Sequence, residues 1–255
     1  MTKESLDRRD WIAGLEKGLT ILEAFDHEHP RLTPTQAAEL TGLTRTAARR
    51  YLLTLEHLGY LTSEGTLFSL TPRVLKVGWS YFDSARLPRT VQPFLQQVTA
   101  AVGEVAYLSV LDDWELVFIS RTSTSRVMST GFVLGARVPA PLASAGVMML
   151  AAQPEQKVKA WLETCVLTPY TPYTILRRDR LFDEIRKAGR QDYAVVEQQL
   201  QIGVRGVAVP LRDRHGNVIA ALSVNMQVGE ETTEHALQRV LQVLQDTALS
   251  IMRVL

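Results

Sequence analysis

The chain has 255 residues, 46% of them hydrophobic and 22% charged, with a formal net charge of +1. Those proportions suit a soluble protein of two modest domains, and the near-zero balance excludes bulk positive charge as the source of any affinity for nucleic acid. No apolar run approaches the roughly 18 residues of a membrane span, the opening Met1-Thr2-Lys3-Glu4-Ser5 is no signal peptide, and the lone Cys165 excludes an intramolecular disulfide. The expected location is therefore the cytoplasm, and Cys165, which lacks basic neighbours in sequence, is expected to be inert packing.

In chain order, Leu15, Leu19, Leu22 and Phe25 recur at helical spacing and predict a first, supporting helix. Thr33-Pro34-Thr35-Gln36 reads as a capping box with proline at the first helical position. The helix it opens runs through Leu40 and stops at Thr41-Gly42, where glycine tolerates a left-handed turn. Thr44 then caps the next helix. At 100° per residue, Arg45, Thr46, Arg49 and Arg50 fall within an arc of roughly 140°. Ala47, Ala48, Tyr51, Leu52, Leu55 and Leu58 fill the opposite side. Such a helix has the build to dock its apolar side on a small core and present arginine forks to a DNA major groove. Taken alone it reads more readily as an amphipathic surface helix with solvated arginines, and the flanking residues decide for the groove. Gly59-Tyr60-Leu61-Thr62 and Thr66-Leu67-Phe68-Ser69-Leu70 flank Ser63-Glu64-Gly65 as a hairpin. Three helices followed by a hairpin make a winged helix-turn-helix, with Thr44, Arg45, Thr46, Arg49 and Arg50 as the DNA-contacting candidates. Acidic residues slightly outnumber basic ones in residues 1–72. Affinity must therefore come from placement, with Lys3, Arg8 and Arg9 as further candidates on an N-terminal arm. Modest non-specific binding and reliance on dimerisation follow. The wing carries no Lys or Arg and is not expected to clamp phosphate.

A domain boundary is expected near residues 70–90. Thr71-Pro72 opens a helix whose Val74, Leu75, Gly78, Trp79 and Phe82 offer apolar surface for a partner subunit or the next domain, and which ends before Arg86-Leu87-Pro88. Beyond it, Val105–Val110 and Glu115–Ile119 predict one hairpin, and Val204–Leu211 and Val218–Val224 a clearer one turning at 213–217. Helices are expected near 144–152, 154–164, 178–190 and 231–254. Antiparallel strand pairs with helices between them give an α+β class. The expected organisation is an arm and winged helix-turn-helix over 1–72, a linker and dimerisation helix over 73–88, and an effector-binding domain over 89–255.

These residues also carry a resemblance. Leu15-Glu16-Lys17-Gly18-Leu19-Thr20-Ile21-Leu22, Leu55-Glu56-His57-Leu58-Gly59-Tyr60-Leu61 and Leu70-Thr71-Pro72-Arg73-Val74-Leu75 match in the first half. In the second half the matching pieces are Ser144-Ala145-Gly146 with Leu150-Ala151, Gly203-Val204-Arg205-Gly206-Val207-Ala208-Val209-Pro210 and Ala220-Ala221-Leu222-Ser223. Over roughly residues 11–255 the chain resembles the IclR (isocitrate lyase regulator) family of bacterial transcription regulators. Asp10-Trp11-Ile12-Ala13-Gly14-Leu15-Glu16-Lys17-Gly18 and Arg126-Val127-Met128-Ser129 resemble the branch that responds to aromatic acids such as 4-hydroxybenzoate and protocatechuate, commonly as activators. The resemblance implies a GAF-like effector domain, dimers that pair into tetramers, an inverted-repeat operator in double-stranded DNA and possible contact with RNA polymerase. It also implies a small-molecule pocket at Ser144, Ala145 and Gly146, where a helix start would receive a carboxylate. Val196 and Gly206 would form walls, with polar contacts from Ser223 and Asn225. Gly206 stands where some relatives have a bulkier residue, Val196 where others are acidic, and Val147 where a basic residue is common; the first two make the site roomier and less polar, as a ring requires. For Val196 and Gly206, ordinary strand packing is the competing reading. Arg121 and Arg137 are the charged candidates nearest this region, each either a fork for the ligand carboxylate or a tie for loops.

The function expected is a ligand-responsive regulator, an activator, of an aromatic-acid catabolic operon. The alternatives are a repressor sensing a short keto or hydroxy acid, a ligand-free DNA-architectural or docking module, and an enzyme. His27, His29, His57, His215 and His235 show no metal-ligand spacing, Leu142-Ala143-Ser144-Ala145-Gly146 is no nucleophile elbow, and no glycine-rich phosphate loop is present. No catalytic residue, metal or cofactor is expected.

Overall fold

The computed structural model describes residues 7, 9–26, 28–84, 86–123, 132–229 and 231–255, without the side chains of 82–84. Lys3, Arg8, the 126–129 segment and the Phe82 side chain thus lie outside the described residues. Internal contacts divide the chain into two units, Met1–Ser84 and Ala85–Leu255.

In the first unit, α1 (Ala13–Glu23), α2 (Pro34–Thr41) and α3 (Arg45–His57) precede the hairpin β1 (Leu61–Glu64) and β2 (Leu67–Leu70). Local chemistry sets each boundary. The Thr33 hydroxyl accepts from the Gln36 amide at 3.3 Å while Gln36 Oε1 accepts from the Thr33 amide at 2.9 Å, closing the capping box. Gly42 takes φ +67° at the end of α2, and Thr44 caps α3 by accepting from the Ala47 amide at 3.2 Å. Leu32 and Phe68 exchange backbone hydrogen bonds of 2.9 Å, which lays the segment before α2 along the hairpin. Ala48, Leu52 and Leu55 of α3 join Ile21, Phe25 and Leu61 in the core.

The apolar stripe of α1 departs from the expected one. Leu15 and Leu19 are 61% and 49% exposed, whereas Ile21 and Phe25 are buried. The inward face follows Ile21 and Phe25, and Tyr51 of α3 lies over the glycines: a Cβ at Gly14 would stand 3.9 Å from its hydroxyl and one at Gly18 4.0 Å from its ring. Leucines at those two positions would hold the helices apart. Leu15 and Leu19 are instead left outside, with Trp11 and Ile12. After the hairpin, a single 3-10 turn at Pro72–Val74 leads into α4 (Leu75–Ser84), whose Leu75, Val77, Trp79 and Tyr81 are exposed.

The second unit opens with α5 (Arg86–Val102), to which the sequence reading assigned no element. Pro88 sits in the first turn, where helical amides lack partners anyway, and a buried stripe of Val91, Leu95, Val98 and Val102 outweighs the lost hydrogen bond at Pro93. Strands β3 (Val105–Asp112), β4 (Glu115–Arg121), β5 (Arg137–Pro139), β6 (Ala194–Glu197), β7 (Val204–Arg212) and β8 (Val218–Gln227) form one antiparallel sheet in the order β5-β4-β3-β8-β7-β6. Between them lie α6 (Ser144–Ala151), α7 (Glu155–Thr164) and α8 (Arg178–Gln191); α9 (Thr233–Met252) follows β8. Side chains alternate across the sheet. Tyr107, Phe118, Val196, Ala208 and Ala221 share one core with α6, α7 and α8. Their neighbours in sequence turn to the other face, where α5 and α9 pack.

Candidate functional site

In the first unit, Thr44, Arg45, Thr46, Arg49 and Arg50 are all exposed, and the apolar side of the same helix is buried. Among the described residues, the side chains of Arg45, Arg49 and Arg50 are in no ion pair or hydrogen bond. Arg9 of the arm is held by Asp7 at 2.8 Å, and Arg31 reaches Glu64 in the wing at 3.0 Å. Both pairs are solvent-facing and weak. The basic face of α3 is therefore a free positive surface of the first unit, set on a packed core.

In the second unit, the sheet face that carries α6 holds a cavity of about 250 Å³. Its walls come from elements far apart in sequence. Leu116 and Phe118 come from β4, Phe132 from the segment after it, and Leu142, Ala143, Ser144 and Ala145 from the turn into α6. Val196 comes from β6, Gln198–Gln201 from the following loop, Val204 and Gly206 from β7, and Ser223 and Asn225 from β8. Register brings these together: Val196 pairs with Gly206, and Gly206 with Asn225. A Cβ at Gly206 would stand 2.7 Å from Ser144 Oγ and 3.0 Å from Asn225 Oδ1, so hydrogen at this position lets two polar groups converge. The cavity is apolar on its aromatic side, where Phe118 and Phe132 stack at 4.4 Å and 12°. It is polar at the mouth of α6, whose first turn has no side-chain cap and leaves backbone amides for an incoming acceptor.

Of the residues singled out from sequence, Ser144, Ala145, Val196, Gly206, Ser223 and Asn225 line this cavity, and Gly146, Arg121 and Arg137 do not. Gly146 serves packing: a Cβ there would lie 2.0 Å from the Ala140 carbonyl oxygen, so the turn before α6 can press against the helix. Arg121 ties a loop, donating from Nη1 to the Phe132 carbonyl at 2.9 Å and from Nε to the Thr122 carbonyl at 3.2 Å. Arg137 is committed to Asp112 at 2.8 Å and Glu115 at 2.7 Å; these bonds raise its pKa against the opposing desolvation. Neither is a free fork, and among the described residues no charged side chain lines the cavity.

Sequence reasoning missed Phe118, Phe132 and the Gln198–Gln201 loop. That loop is fixed by hydrogen bonds. Thr171 Oγ1 donates to the Gln198 carbonyl at 2.6 Å, Thr174 Oγ1 to the Gln199 carbonyl at 2.7 Å, and the Gly203 amide to Gln198 Oε1 at 3.0 Å. Gln198 takes φ +57°, the turn that leads out of β6 over the cavity. The run of glutamines between two strands was the available signal. Among the described residues no group of His, Cys, Asp and Glu is placed to hold a metal ion, and no helix is long and apolar enough to cross a membrane.

Comparison with known proteins bears on both units. Residues 14–65 match the IclR helix-turn-helix domain, and residues 79–253 match the C-terminal domain of bacterial transcriptional regulator IclR. The Pca operon regulatory protein of Acinetobacter baylyi is 38% identical over 99% of this chain and 92% of its own length. The p-hydroxybenzoate hydroxylase transcriptional activator of the same organism is 37% identical over 97% of this chain and 93% of its own. A solved double mutant of the PobR inducer-binding domain from Acinetobacter, in complex with 3-hydroxybenzoic acid, is 28% identical over 67% of this chain and all of that one, with a TM-score of 0.63.

Proposed function

The chain belongs to the IclR family of transcriptional regulators, and we propose that it senses a monocyclic aromatic carboxylate in the cytoplasm and activates an aromatic-acid catabolic operon. The observation that carries this reading is the cavity. Its volume of about 250 Å³ sits just below the ~300–1,000 Å³ usual for small-molecule sites, which favours a single ring. An aromatic wall faces small and polar residues across it, and the uncapped start of α6 offers amides to a carboxylate. A buried carboxylate needs converging donors, and with Arg121 and Arg137 engaged elsewhere those donors are the α6 amides, Ser144, Ser223 and Asn225. The similar regulators are named for p-hydroxybenzoate and Pca genes, and the PobR domain is named with a hydroxybenzoic acid.

For DNA, Thr44, Arg45, Thr46, Arg49 and Arg50 would enter the major groove of each half of an inverted repeat. The exposed Leu75, Val77, Trp79 and Tyr81 of α4 support a homodimer able to span two half-sites, paired further into tetramers and able to engage RNA polymerase. Ligand would act through its difference in affinity between two dimer arrangements.

Titration calorimetry of the full chain against benzoate, 4-hydroxybenzoate, 3,4-dihydroxybenzoate and pyruvate tests the reading. Saturable binding of an aromatic acid without turnover, accompanied by a shift in operator affinity, is the expected result. Binding of pyruvate alone would replace it with a keto-acid repressor, and turnover with an enzyme.

A further inference from the structure

Among the described residues, two buried side-chain polar atoms have no hydrogen-bond partner: the hydroxyl oxygens of Tyr107 and Ser109. Both residues are fully buried and both lie on β3. Buried hydroxyls are nearly always paired, because stripping their water without replacing it is unfavourable. Two orphans on one strand, two residues apart, are a local arrangement.

Their place in the sheet says what that arrangement faces. β3 lies between β4 and β8, and both of those strands line the cavity, through Phe118 on one side and Ser223 on the other. Tyr107 pairs with Ser223, and Ser109 with Phe118. Alternation along β3 puts both hydroxyl residues on one face, the face whose core includes Tyr107 and Phe118. The Tyr107 ring meets Phe118 edge-on at 5.2 Å. Tyr107 and Ser109 thus lie on the cavity's face of the sheet, each beside a residue of its lining. Burial pushes the phenol pKa up, against the Arg121 charge and the Phe132 backbone amide near the phenol oxygen, so the group is protonated at neutral pH and its O–H is available to donate.

We propose that the Tyr107 and Ser109 hydroxyls are the specificity-determining floor of this site, pairing with ring hydroxyls of a phenolic carboxylate whose acid group is held at the start of α6. This rests on the aromatic-acid reading of the cavity. A ring lying along Phe118 points its distal substituent at β3. Benzoate leaves both floor groups orphaned, 4-hydroxybenzoate pairs with one, and 3,4-dihydroxybenzoate supplies an oxygen for each. A site built to pair a hydroxyl discriminates against the analogue that lacks it, since the protein group is then left buried and unpaired.

The test uses full-length Tyr107→Phe and Ser109→Ala, each removing one hydroxyl and little else, with calorimetric affinities for the three acids and melting of the ligand-free proteins. The parent should prefer the hydroxylated acids. Each variant should lose about tenfold for at least one of them and less than twofold for benzoate. The free Ser109→Ala protein should melt at or above the parent, because that hydroxyl has no internal hydrogen bond to lose. Equal losses for benzoate and the phenolic acids, unchanged affinities, or a lowered melting temperature of Ser109→Ala revealing an internal partner would each overturn the floor assignment while leaving the cavity reading standing. A parent that binds none of the three acids overturns the cavity reading, and this inference with it.

Discussion

Gly206→Ala probes whether Ser144, Gly206 and Asn225 act as one constellation. The new Cβ would meet Ser144 Oγ at 2.7 Å, Asn225 Oδ1 at 3.0 Å and Ser144 Cβ at 3.4 Å. Ser144 Oγ must retreat by about 0.7 Å to reach ordinary contact at 3.4 Å, and Asn225 by less. Both oxygens end rotatable side chains bordering empty space, so the fold yields easily. Overpacking at the low end of about 1–3 kcal/mol is partly offset by the ~0.5–1 kcal/mol gained when alanine replaces glycine in a strand. Net stability should stay within about 1 kcal/mol of the parent. The ligand fares worse. Two displaced hydrogen-bonding groups at about 0.5–1.5 kcal/mol each amount to roughly 1–3 kcal/mol, or about 5- to 150-fold in Kd. Gly206→Leu should erase binding by filling the space, and with it the ligand response, leaving ligand-free operator binding intact. Calorimetry with 4-hydroxybenzoate and urea denaturation on the same preparations separate the two effects. A Kd within twofold of the parent for Gly206→Ala, or a collapse of its stability, would refute the reasoning.

Gly146→Ala, two residues after Ser144 in α6, should behave oppositely. Its Cβ would strike backbone atoms of Ala140 at 2.0–2.6 Å, which cannot rotate away, so the loss should exceed about 3 kcal/mol by urea denaturation; a variant as stable as the parent would contradict the packing. Arg45→Ala and Arg49→Ala should each cost about 1–3 kcal/mol of operator affinity with relaxed preference at one base if they read bases, or lower the salt slope by about one if they hold phosphate. Parent-like binding by both at matched salt would remove α3 from the groove. Acid stability should depend on Arg239, which donates to both carboxylate oxygens of Glu231 at 3.0 and 2.8 Å and holds that carboxyl below its ordinary 4.5. A depressed folded-state pKa stabilises fully above the unfolded value and is lost as pH falls through the folded one. Arg239→Gln should therefore lower the urea midpoint at neutral pH and make its acid decline shallower; parallel curves for the two proteins would exclude the linkage.

The first unit was legible because its signals are local. The capping box at Thr33, the left-handed Gly42 and the Thr44 cap each act within a few residues, so sequence spacing alone places α2 and α3. The stripe of α1 was misread because the choice between Leu15–Leu19 and Gly14–Gly18–Ile21 is made by Tyr51, a partner that periodicity does not see. In the second unit the long hairpin of β7 and β8 showed through two apolar runs on either side of the polar turn at 213–217. β5 and β6, at three and four residues, are too short to alternate convincingly, and α5 hid behind Pro88 and Pro93. The cavity was half legible. Its small and polar residues stand in recognisable segments, but Phe118, Phe132 and the β3 floor become neighbours only through strand order, a long-range property.

That strand order also bears on how the protein is made. β3, whose Tyr107 and Ser109 underlie the cavity, pairs with β8, so Val105 waits for Asn225. The first unit's core draws on residues between Ile21 and Phe68, all of them synthesised before β3. Local contacts form quickly and distant pairing slowly, and domains fold as units behind the ribosome. A nascent or prematurely ended chain therefore displays a finished basic helix long before the floor of the cavity exists. On the proposed reading, any product broken before β8 would keep the helix offered to DNA and lack the cavity offered to the acid.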